Sequence, residues 1–455
     1  MSASTPSASQ MQARVAVVGA GPAGLYATQV LAARGAHVAL FNRDIKPGGL
    51  AEYGIFPTKH KMKDGLRKQF RQILASPHVE YFGNVTVGRK GDLRLDELRG
   101  LGCDAVLVTV GAQGTKWLGL PGEDLTGVHH AKDLVYHYNR LPPFAARTYA
   151  IGRRVAIVGV GNVMLDIAHW LVRHLHVDEV VAVARRGPAE VKFDKGEMEY
   201  VARNLDVAAL DVEIERVRPA MEALGQDVAA ARAFILAAMA KAPEPNSATR
   251  FRLEFLASPV RIVGEAGRVI GLQVEDTMLV QGSNDVQAHG TGCRRVIPCD
   301  SVVFAVGDSV DPDLGLALRR NAFAVHPEPR YPIEGVSYEA LDPDTSAPLD
   351  NVFVAGWARS PSMGLVGMAR KDGNQGAFAL VQALATRPVQ DAGKGWAELH
   401  ARLERTGKPV VGTAQWNELE RLEHAEAERL GRDEFKFATN DEMLAALNLN
   451  TRESR

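Results

Sequence analysis

Cysteine is scarce in this chain. The 455 residues include only Cys103, Cys293 and Cys299, and no two of them have the C-x-x-C or C-x-x-x-x-C spacing of a redox-active disulfide or a cluster ligand set. A disulfide relay and an iron–sulfur cluster within the chain are therefore disfavoured. The simplest interpretation is a set of structural thiols in a reducing compartment.

The sequence also lacks long apolar runs and an excess of either charge. No stretch approaches the roughly 18 apolar residues that span a bilayer, and the first twelve residues lack the basic start and apolar run of a secretory signal. The 53 Lys and Arg balance 54 Asp and Glu, which argues against general nucleic-acid binding. We expect a soluble cytoplasmic protein with a disordered tail over residues 1–12, and any electrostatic partner site must be a local patch.

An internal repeat is the clearest feature that is present. RVAVVGAGPAG (Arg14–Gly24) returns as RVAIVGVGNVM (Arg154–Met164). Each copy joins a β-branched strand to a glycine-rich turn and an apolar-periodic helix, predicted over Leu25–Ala33 and Leu165–Leu175. The sequence therefore predicts an α/β fold with two doubly wound Rossmann-like dinucleotide-binding domains.

Two similar strand ends, TVGA before residue 113 and AVGD before residue 309, mark the points where the chain crosses between domains. We predict one domain from residues 13–112 and 308–455, the latter ending in a helical extension from Lys394. The second domain, residues 113–307, is inserted between them. Strands separated by turns are expected over Phe251–Val310.

The first glycine turn has the spacing that a dinucleotide cradle requires. Gly19, Gly21 and Gly24, with Pro22 and Ala23 between them, would let backbone N–H groups approach a pyrophosphate at the positive end of a helix. The alternative, glycines that only tighten a turn, is disfavoured by the strand and helix around them.

Further residues favour FAD over NAD at this first turn. The segment KPGGLAEYGI supplies flexible glycines and an aromatic residue that could enclose a larger ring system. The acid that usually holds the ribose is replaced by an asparagine. The additional candidate contacts are Asn42, Gly49, Leu50, Gly54 and Ala112.

The second turn, built on Gly159, Gly161, Asn162 and Val163, repeats the cradle, and Asn162 is a candidate donor to the pyrophosphate. Met164 replaces the usual small residue, which predicts a helix pushed slightly away from the strand. Arg185 and Arg186 follow the next strand, where two guanidinium groups suit the 2′-phosphate of NADPH. The alternative is a solvated surface pair without a ligand.

Electrons that enter the flavin need an exit, and the chain has no redox cysteine pair to accept them. The simplest acceptor is an external one-electron carrier. A basic run just beyond the flavin loop could contact an acidic ferredoxin, although such a run is as readily an ordinary solvated face. Its members are Lys59, His60, Lys61, Lys63, Arg67, Lys68 and Arg71.

The motifs VAIVGVGNVMLDIA, ARRGPAEVKF and VFVAGWARSPSMGLVGMARKDG, with the ending GRDEFKFATNDEML, resemble the adrenodoxin reductase-like ferredoxin NADP reductases. The resemblance implies that Gly356 and Trp357 lie beside the isoalloxazine and that the backbone of Gly364, Leu365 and Val366 faces its N1 and O2 edge. It also implies NADP contacts for Asn162, Arg185 and Arg186.

The same resemblance places Glu197 near the nicotinamide, and it places Lys59, with His60 adjacent, at the family's histidine position. Three positions depart from the family: Asn42 replaces its glutamate, Lys59 replaces its histidine, and RSPSMG replaces KRGPTG. These departures bear on the flavin potential and on the identity of the partner.

The function expected from these features is a ferredoxin–NADP(+) reductase, in which hydride passes between NADPH and FAD and single electrons pass to ferredoxin. One alternative is the NADPH-oxidising subunit of a larger complex, similar to the small chain of glutamate synthase. Another is a flavin-binding partner protein with little turnover. A monomer and a homodimer are equally compatible with the sequence.

Overall fold

The structure, a computed structural model, describes residues 12–283, 285–362, 364–386 and 396–449. The predicted disordered tail, apart from Gln12, lies outside this part of the chain. The described residues form two compact units. The first unit comprises the residues up to Lys116, Tyr136–Ala146 and the residues from Gly307 onward, and the second comprises Trp117–Val135 and Arg147–Val306.

The strands, in chain order, are β1 (Arg14–Val18), β2 (His37–Asn42), β3 (Val79–Gly83), β4 (Ala105–Val108), β5 (Gly114–Thr115), β6 (Val128–His130), β7 (Arg154–Val158), β8 (Glu179–Val183), β9 (Arg250–Glu254), β10 (Ala257–Glu265), β11 (Arg268–Gln281), β12 (Val286–Pro298), β13 (Ser301–Phe304), β14 (Asp308–Ser309), β15 (Leu318–Arg319), β16 (Ala322–Phe323), β17 (Glu339–Leu341) and β18 (Pro348–Val354).

The α-helices, in chain order, are α1 (Pro22–Ala33), α2 (Leu50–Tyr53), α3 (His60–Leu74), α4 (Leu95–Gly100), α5 (Ala131–Tyr138), α6 (Asn162–Trp170), α7 (Lys195–Met198), α8 (Val207–Glu222), α9 (Val228–Leu236), α10 (Val366–Ala385), α11 (Ala397–Glu404), α12 (Thr413–Leu430) and α13 (Asn440–Ala446).

The first unit is built on a six-stranded sheet in the order β17-β18-β4-β1-β2-β3. All pairs are parallel except β17 with β18. Every residue of β1 is buried, as expected for a central parallel strand covered on both faces. One face packs against a core that includes Leu25 of α1, Phe70 of α3 and Leu380 of α10, and a separate apolar cluster covers the other face.

The second unit contains a five-stranded parallel sheet in the order β6-β13-β7-β8-β9 and a three-stranded antiparallel sheet of β10, β11 and β12. The two sheets share an apolar core that includes Val158, Leu272 and Phe304. The predicted α/β class with two Rossmann-like domains is thus confirmed, as are the strands expected over Phe251–Val310.

The predicted helices differ from the structure mainly at their ends. α1 begins at Pro22, because the extended Gly21 is its N-cap and proline suits the first helical position. α6 ends at Trp170, and a π turn over Leu171–Leu175 continues it to the predicted end. In the described part of the C-terminal extension the predicted helical character is confirmed by α11, α12 and α13.

The two compact units differ from the predicted domains in one internal segment and at both crossing points, where residues 113–116 and Gly307 fall in the first unit. Residues 136–146 lie within the predicted insertion 113–307 but belong to the first unit. Tyr136 and Leu141 form an apolar cluster with Tyr53. This packing accounts for the assignment of residues 136–146 to the first unit, although the chain on either side of them belongs to the second. The predicted crossing points are adjacent, since β5 pairs antiparallel with β14 in the first unit.

Candidate functional site

The first glycine turn is closely packed on one side and open on the other. Gly19 has φ of +107°, and a side-chain carbon there would lie 2.7 Å from the Thr109 backbone. A carbon on Gly24 would lie 1.9 Å from the carbonyl oxygen of Gly19. A carbon on Gly21 would instead meet nothing within 4 Å. The open side faces the N-terminus of α1, as a pyrophosphate site requires.

Asn42 supports the loop that follows β2. Its Oδ1 accepts from the Ala20 N–H at 3.2 Å, and its Nδ2 donates to the carbonyl oxygens of Asp44 and Lys46, each at 2.9 Å. The side chain is buried, and its amide is already engaged by protein groups. Asn42 therefore stabilises this loop, and its predicted contact with the dinucleotide stays a prediction.

The loop carrying Gly49, Leu50 and Gly54 packs on the first turn. The Gly48 N–H donates to the Ala20 carbonyl at 2.7 Å, and a side-chain carbon on Gly49 would lie 3.1 Å from the Gly21 Cα. Leu50 begins α2 and Gly54 is its C-cap. The predicted loop and the predicted turn thus form one surface.

The late glycine–tryptophan segment also reaches the first turn. A side-chain carbon on Gly356 would lie 2.6 Å from the Ala23 Cβ, and one on Gly373 of α10 would lie 2.2 Å from the Ala23 carbonyl oxygen. Residues more than 300 positions apart in sequence therefore converge beside the open side of the turn. Trp357 is half-buried in the same segment.

The start of α10 is exposed. Gly364 has φ of +71°, Leu365 is the N-cap with 66% of its surface exposed, and Val366 begins the helix. The α10 N-terminus has no side-chain cap. Its first N–H groups can therefore face a ligand with developing negative charge. Ala112, predicted as a further contact, is buried just beyond β4.

Asp372 holds the glycine–tryptophan segment in place. Its carboxylate accepts from the Gly356 N–H at 2.5 Å and from the Arg359 guanidinium. The Tyr338 hydroxyl donates to the same carboxylate at 3.3 Å, and the Arg359 guanidinium lies 4.8 Å from the centre of the Tyr338 ring. Sequence analysis missed Asp372 because its position inside a helix carries no local signal of a partner 16 residues earlier.

Part of the basic run is held in ion pairs with acidic residues. Lys63 and Arg67 are both bonded to Glu434, Arg67 also pairs with Glu52, and Arg71 pairs with Glu420. Within the run, Lys61, Lys68 and Arg71 are exposed, while Lys59 and His60 are half-buried at the start of α3. Lys63 is buried and so cannot contact a partner directly, whereas the predicted contact of the rest of the run with an acidic ferredoxin stays a prediction.

The second glycine turn repeats the geometry of the first at two of three positions. Gly159 has φ of +123°, and a side-chain carbon there would lie 2.3 Å from the Ala305 carbonyl oxygen. A carbon on Gly161 would meet nothing within 4 Å. Met164 is fully buried, so its side chain fills apolar space that a glycine would leave empty. The predicted displacement of this helix remains a prediction.

Asn162 is paired with Asp194. The Asn162 side chain donates to Asp194 Oδ2 and accepts from the Asp194 N–H, each at 2.7 Å. These two bonds form a clamp that joins the turn to the start of α7, and the predicted donation from the Asn162 side chain to a pyrophosphate stays a prediction. Val163, which follows Asn162, is exposed. Lys192, whose N–H donates to the Val160 carbonyl at 3.0 Å, is an exposed cation beside the turn that sequence analysis missed.

The two adjacent arginines differ in their surroundings. Arg185 is exposed, whereas the Arg186 side chain is only 17% exposed and donates to Asp285 at 2.6 Å and to the Val286 carbonyl at 3.3 Å. The hydrogen bond from Arg186 lowers the pKa of Asp285. Glu197 lies half-buried in α7. Arg185 is therefore the more available of the two guanidinium groups.

All three cysteines lie in the described part of the chain and are free. Burial raises the pKa of Cys103 and of Cys299 to about 12, which keeps both thiols protonated. Among the described residues no group of acidic, histidine and cysteine side chains could hold a metal ion. No described helix is long and apolar enough to cross a membrane.

Comparison with known proteins gives one consistent result. A family model described as pyridine nucleotide-disulphide oxidoreductase matches residues 13–228. NADPH-ferredoxin reductase FprA of Mycobacterium leprae is 30% identical, over 94% of this chain and 97% of that protein. The mitochondrial NADPH:adrenodoxin oxidoreductase of Homo sapiens is 26% identical, over 95% and 92% respectively.

A solved structure agrees. FprA of Mycobacterium tuberculosis in complex with NADPH matches with a TM-score of 0.76 and 26% identity, and the match covers 96% of this chain and 99% of that chain. The similarity therefore extends through both units and is not limited to the glycine turns.

Proposed function

This chain belongs to the family of the NADPH-ferredoxin and NADPH:adrenodoxin reductases, and from that membership we propose that it is an FAD-dependent oxidoreductase that carries electrons between NADPH and a ferredoxin-type protein. One observation carries the proposal: each unit has a glycine turn that is closed towards its own backbone and open at the N-terminus of a helix. Two such turns are what two dinucleotides require.

The first unit is proposed to hold FAD. Its pyrophosphate would lie against the N–H groups around Gly21, with the Gly49–Leu50 loop on one side and the Gly356–Trp357 segment on another. Bound FAD supplies the capacity to accept a hydride and to release its two electrons one at a time. The exposed N-terminus of α10 suits the negative charge that accompanies flavin reduction.

The second unit is proposed to hold NADPH. The N–H groups after Gly161 would bind the pyrophosphate, while Arg185, assisted by Arg186 and Lys192, would bind the 2′-phosphate. A 2′-phosphate dianion gains little from an arginine already neutralised by a carboxylate. Arg185 should therefore contribute more than Arg186 to the preference for NADPH.

Three polar side chains are proposed to act near the reacting rings. Lys59 and His60, at the start of α3, would orient groups on the flavin side, and Glu197 of α7 would position the nicotinamide. Because flavin and nicotinamide exchange a hydride directly, these residues need only hold the rings and exclude water.

The electron acceptor is proposed to be a small one-electron protein of the ferredoxin type. The free cysteines support this assignment, because two are buried thiols and the chain offers no disulfide to receive electrons. A reducing compartment, such as the cytoplasm, belongs to the same proposal. Lys61, Lys68 and Arg71 are the exposed cations of the basic run, and Lys61 and Lys68 are proposed to contact an acidic partner.

Anaerobic stopped-flow spectroscopy tests the function. The FAD-loaded protein is mixed with NADPH or NADH, and candidate ferredoxins are then added while flavin and ferredoxin absorbance are followed. We expect NADPH to bleach the flavin faster than NADH and the ferredoxin to reoxidise it. Failure to bind FAD would refute the proposal, and a flavin that stays oxidised under NADPH would favour the binding partner with little turnover.

A further inference from the structure

A group of ion pairs lies behind the loop that packs on the first glycine turn. At its centre is Glu52 of α2, which is 3% exposed. Arg67 donates to its carboxylate at 2.6 and 2.7 Å, Lys436 lies at 2.9 Å and Lys46 at 3.4 Å. Burial opposes ionisation of Glu52, but these three cations together hold its pKa well below the ordinary value.

The group ties this loop to the C-terminal part of the chain. Lys46 pairs with Glu423 of α12, and the Phe437 N–H donates to the same carboxylate at 3.4 Å. The Lys436 ammonium also donates to the carbonyl oxygen of Glu52 at 2.9 Å and lies 4.8 Å from the centre of the Tyr53 ring. A single lysine near the end of the chain therefore contacts the backbone, the carboxylate and the aromatic ring of α2.

Such an arrangement costs free energy to build. Buried charges lose their hydration, and replacing buried pairs by apolar residues is often neutral or stabilising, so stability alone is a weak reason for them. Ion pairs do fix the position of the groups they join, because charge-assisted hydrogen bonds restrict donor and acceptor geometry more narrowly than apolar contacts do. The loop they fix places Gly49 within contact distance of Gly21.

We propose that the C-terminal segment around Lys436 is a positioning element of the FAD site: with Glu423, it holds the Lys46–Tyr53 loop against the first glycine turn and so sets the affinity for FAD. The inference rests on the proposed function, since it presumes FAD in the first unit. Lys436 and Glu423 act through the loop and do not contact the dinucleotide themselves.

The test replaces Lys436 by methionine and by arginine in the full-length protein. FAD dissociation constants are measured by quenching of flavin fluorescence, and the melting temperature of each apoprotein is recorded. Lys436→Met should weaken FAD binding about tenfold, which is about 1.4 kcal/mol. Lys436→Arg, which keeps the charge, should restore binding to within about threefold.

Arg330→Met is the matched control. Arg330 pairs at 2.5 Å with Glu339, a fully buried carboxylate in the first unit on β17, away from the loop. This variant should lower the melting temperature and leave FAD affinity unchanged. Equal losses of affinity in Lys436→Met and Arg330→Met would reduce the role of Lys436 to general stability and overturn the inference.

Hydrogen exchange on the unmodified protein tests the proposal without any variant. Addition of FAD should slow amide exchange in residues 48–54 and in residues 435–437 together. Protection of the loop without protection of the C-terminal segment would contradict the coupling. An unmodified protein that binds no FAD would instead refute the proposed function itself.

Discussion

The two glycine turns of this molecule share a sequence pattern but differ in what surrounds them. Both have an open middle glycine, Gly21 or Gly161, at the N-terminus of a helix. The first has a third glycine, Gly24, pressed against its own turn, whereas the second has the buried side chain of Met164. The two turns therefore share the open middle glycine, while the packing at the third position differs between them.

The surroundings of the turns differ as well. A loop held by buried ion pairs packs on the first turn, whereas the second turn is held by the Asn162–Asp194 clamp. A flavin that remains bound through many turnovers needs a firmly held site, whereas a nicotinamide substrate must enter and leave. The contrast fits this division between a resident group and an exchanging one.

The largest expected effect comes from filling the close contact in the first turn. Gly24→Ala places a carbon 1.9 Å from the Gly19 carbonyl oxygen, so the helix or the turn must move. We expect a loss of about 3 kcal/mol or more in unfolding free energy and loss of bound FAD. Denaturant unfolding and flavin content measure both. Gly65→Ala in α3, which meets nothing within 4 Å, is the control and should be neutral or slightly stabilising.

Removing both adjacent arginines tests the second unit alone. The double variant Arg185→Ala, Arg186→Ala should erase discrimination between NADPH and NADH. The ratio of kcat/KM for NADPH to kcat/KM for NADH should fall about 100-fold, because two charge-assisted contacts are lost. Of the single variants, Arg185→Ala should have the larger effect. An unchanged NADPH preference in the double variant would discard the assigned 2′-phosphate site.

The ion-pair support of the first unit predicts a pH dependence. Burial, reinforced by the Lys436 ammonium, lowers the pKa of Lys63 from 10.5 to about 8. Between these values the unfolded chain keeps a proton that the folded chain has released, so the contribution of Lys63 to stability rises with pH. The unfolding free energy of the unmodified protein relative to Lys63→Met should increase between pH 7 and 10, by on the order of 1–3 kcal/mol. The same comparison with Lys68→Met, an exposed lysine of α3, should be flat.

Matched alanine substitutions at the open glycines compare the turns directly. Gly21→Ala and Gly161→Ala introduce a carbon into open space, so neither should change the unfolding free energy of the apoprotein much. Each should weaken one dinucleotide about tenfold, FAD for Gly21→Ala and NADP(+) for Gly161→Ala. Titrations measure the affinity of each variant for both ligands. A loss of NADP(+) affinity in Gly21→Ala together with a loss of FAD affinity in Gly161→Ala would reverse our assignment of the units.

The smallest expected effect concerns the partner surface. Lys61→Ala with Lys68→Ala should slow ferredoxin reduction by a few-fold at low salt and hardly at all at high salt, because exposed charges act mainly on association. Lys90→Ala with Lys241→Ala, at exposed lysines elsewhere, is the charge-matched control. Identical rates for the two double variants would remove the basic run from the docking surface.

Much of the fold could be predicted because its signals are local. A β-branched strand, a glycine turn and an apolar helix occupy about 20 consecutive residues, and this pattern occurs twice in the chain. That pattern also accounts for the glycine geometry. The first glycine of each turn, Gly19 or Gly159, has a positive φ and packs on the backbone, whereas the second, Gly21 or Gly161, is open. The family resemblance added the glycine–tryptophan segment, which packs on Ala23 of the first turn. Its contact with the flavin stays a prediction.

The sequence by itself determined the two glycine turns and the α/β class, because backbone conformation and strand burial depend on neighbouring residues. Only the tertiary structure decided which charged and amide side chains are already hydrogen-bonded within the protein. Arg67 donates to Glu434, Arg186 donates to Asp285, and Asn42 donates to a carbonyl of its own loop. The reason is physical. A charge is neutralised by whichever group lies within a few ångströms, and for Lys46 that group is 377 residues away in sequence.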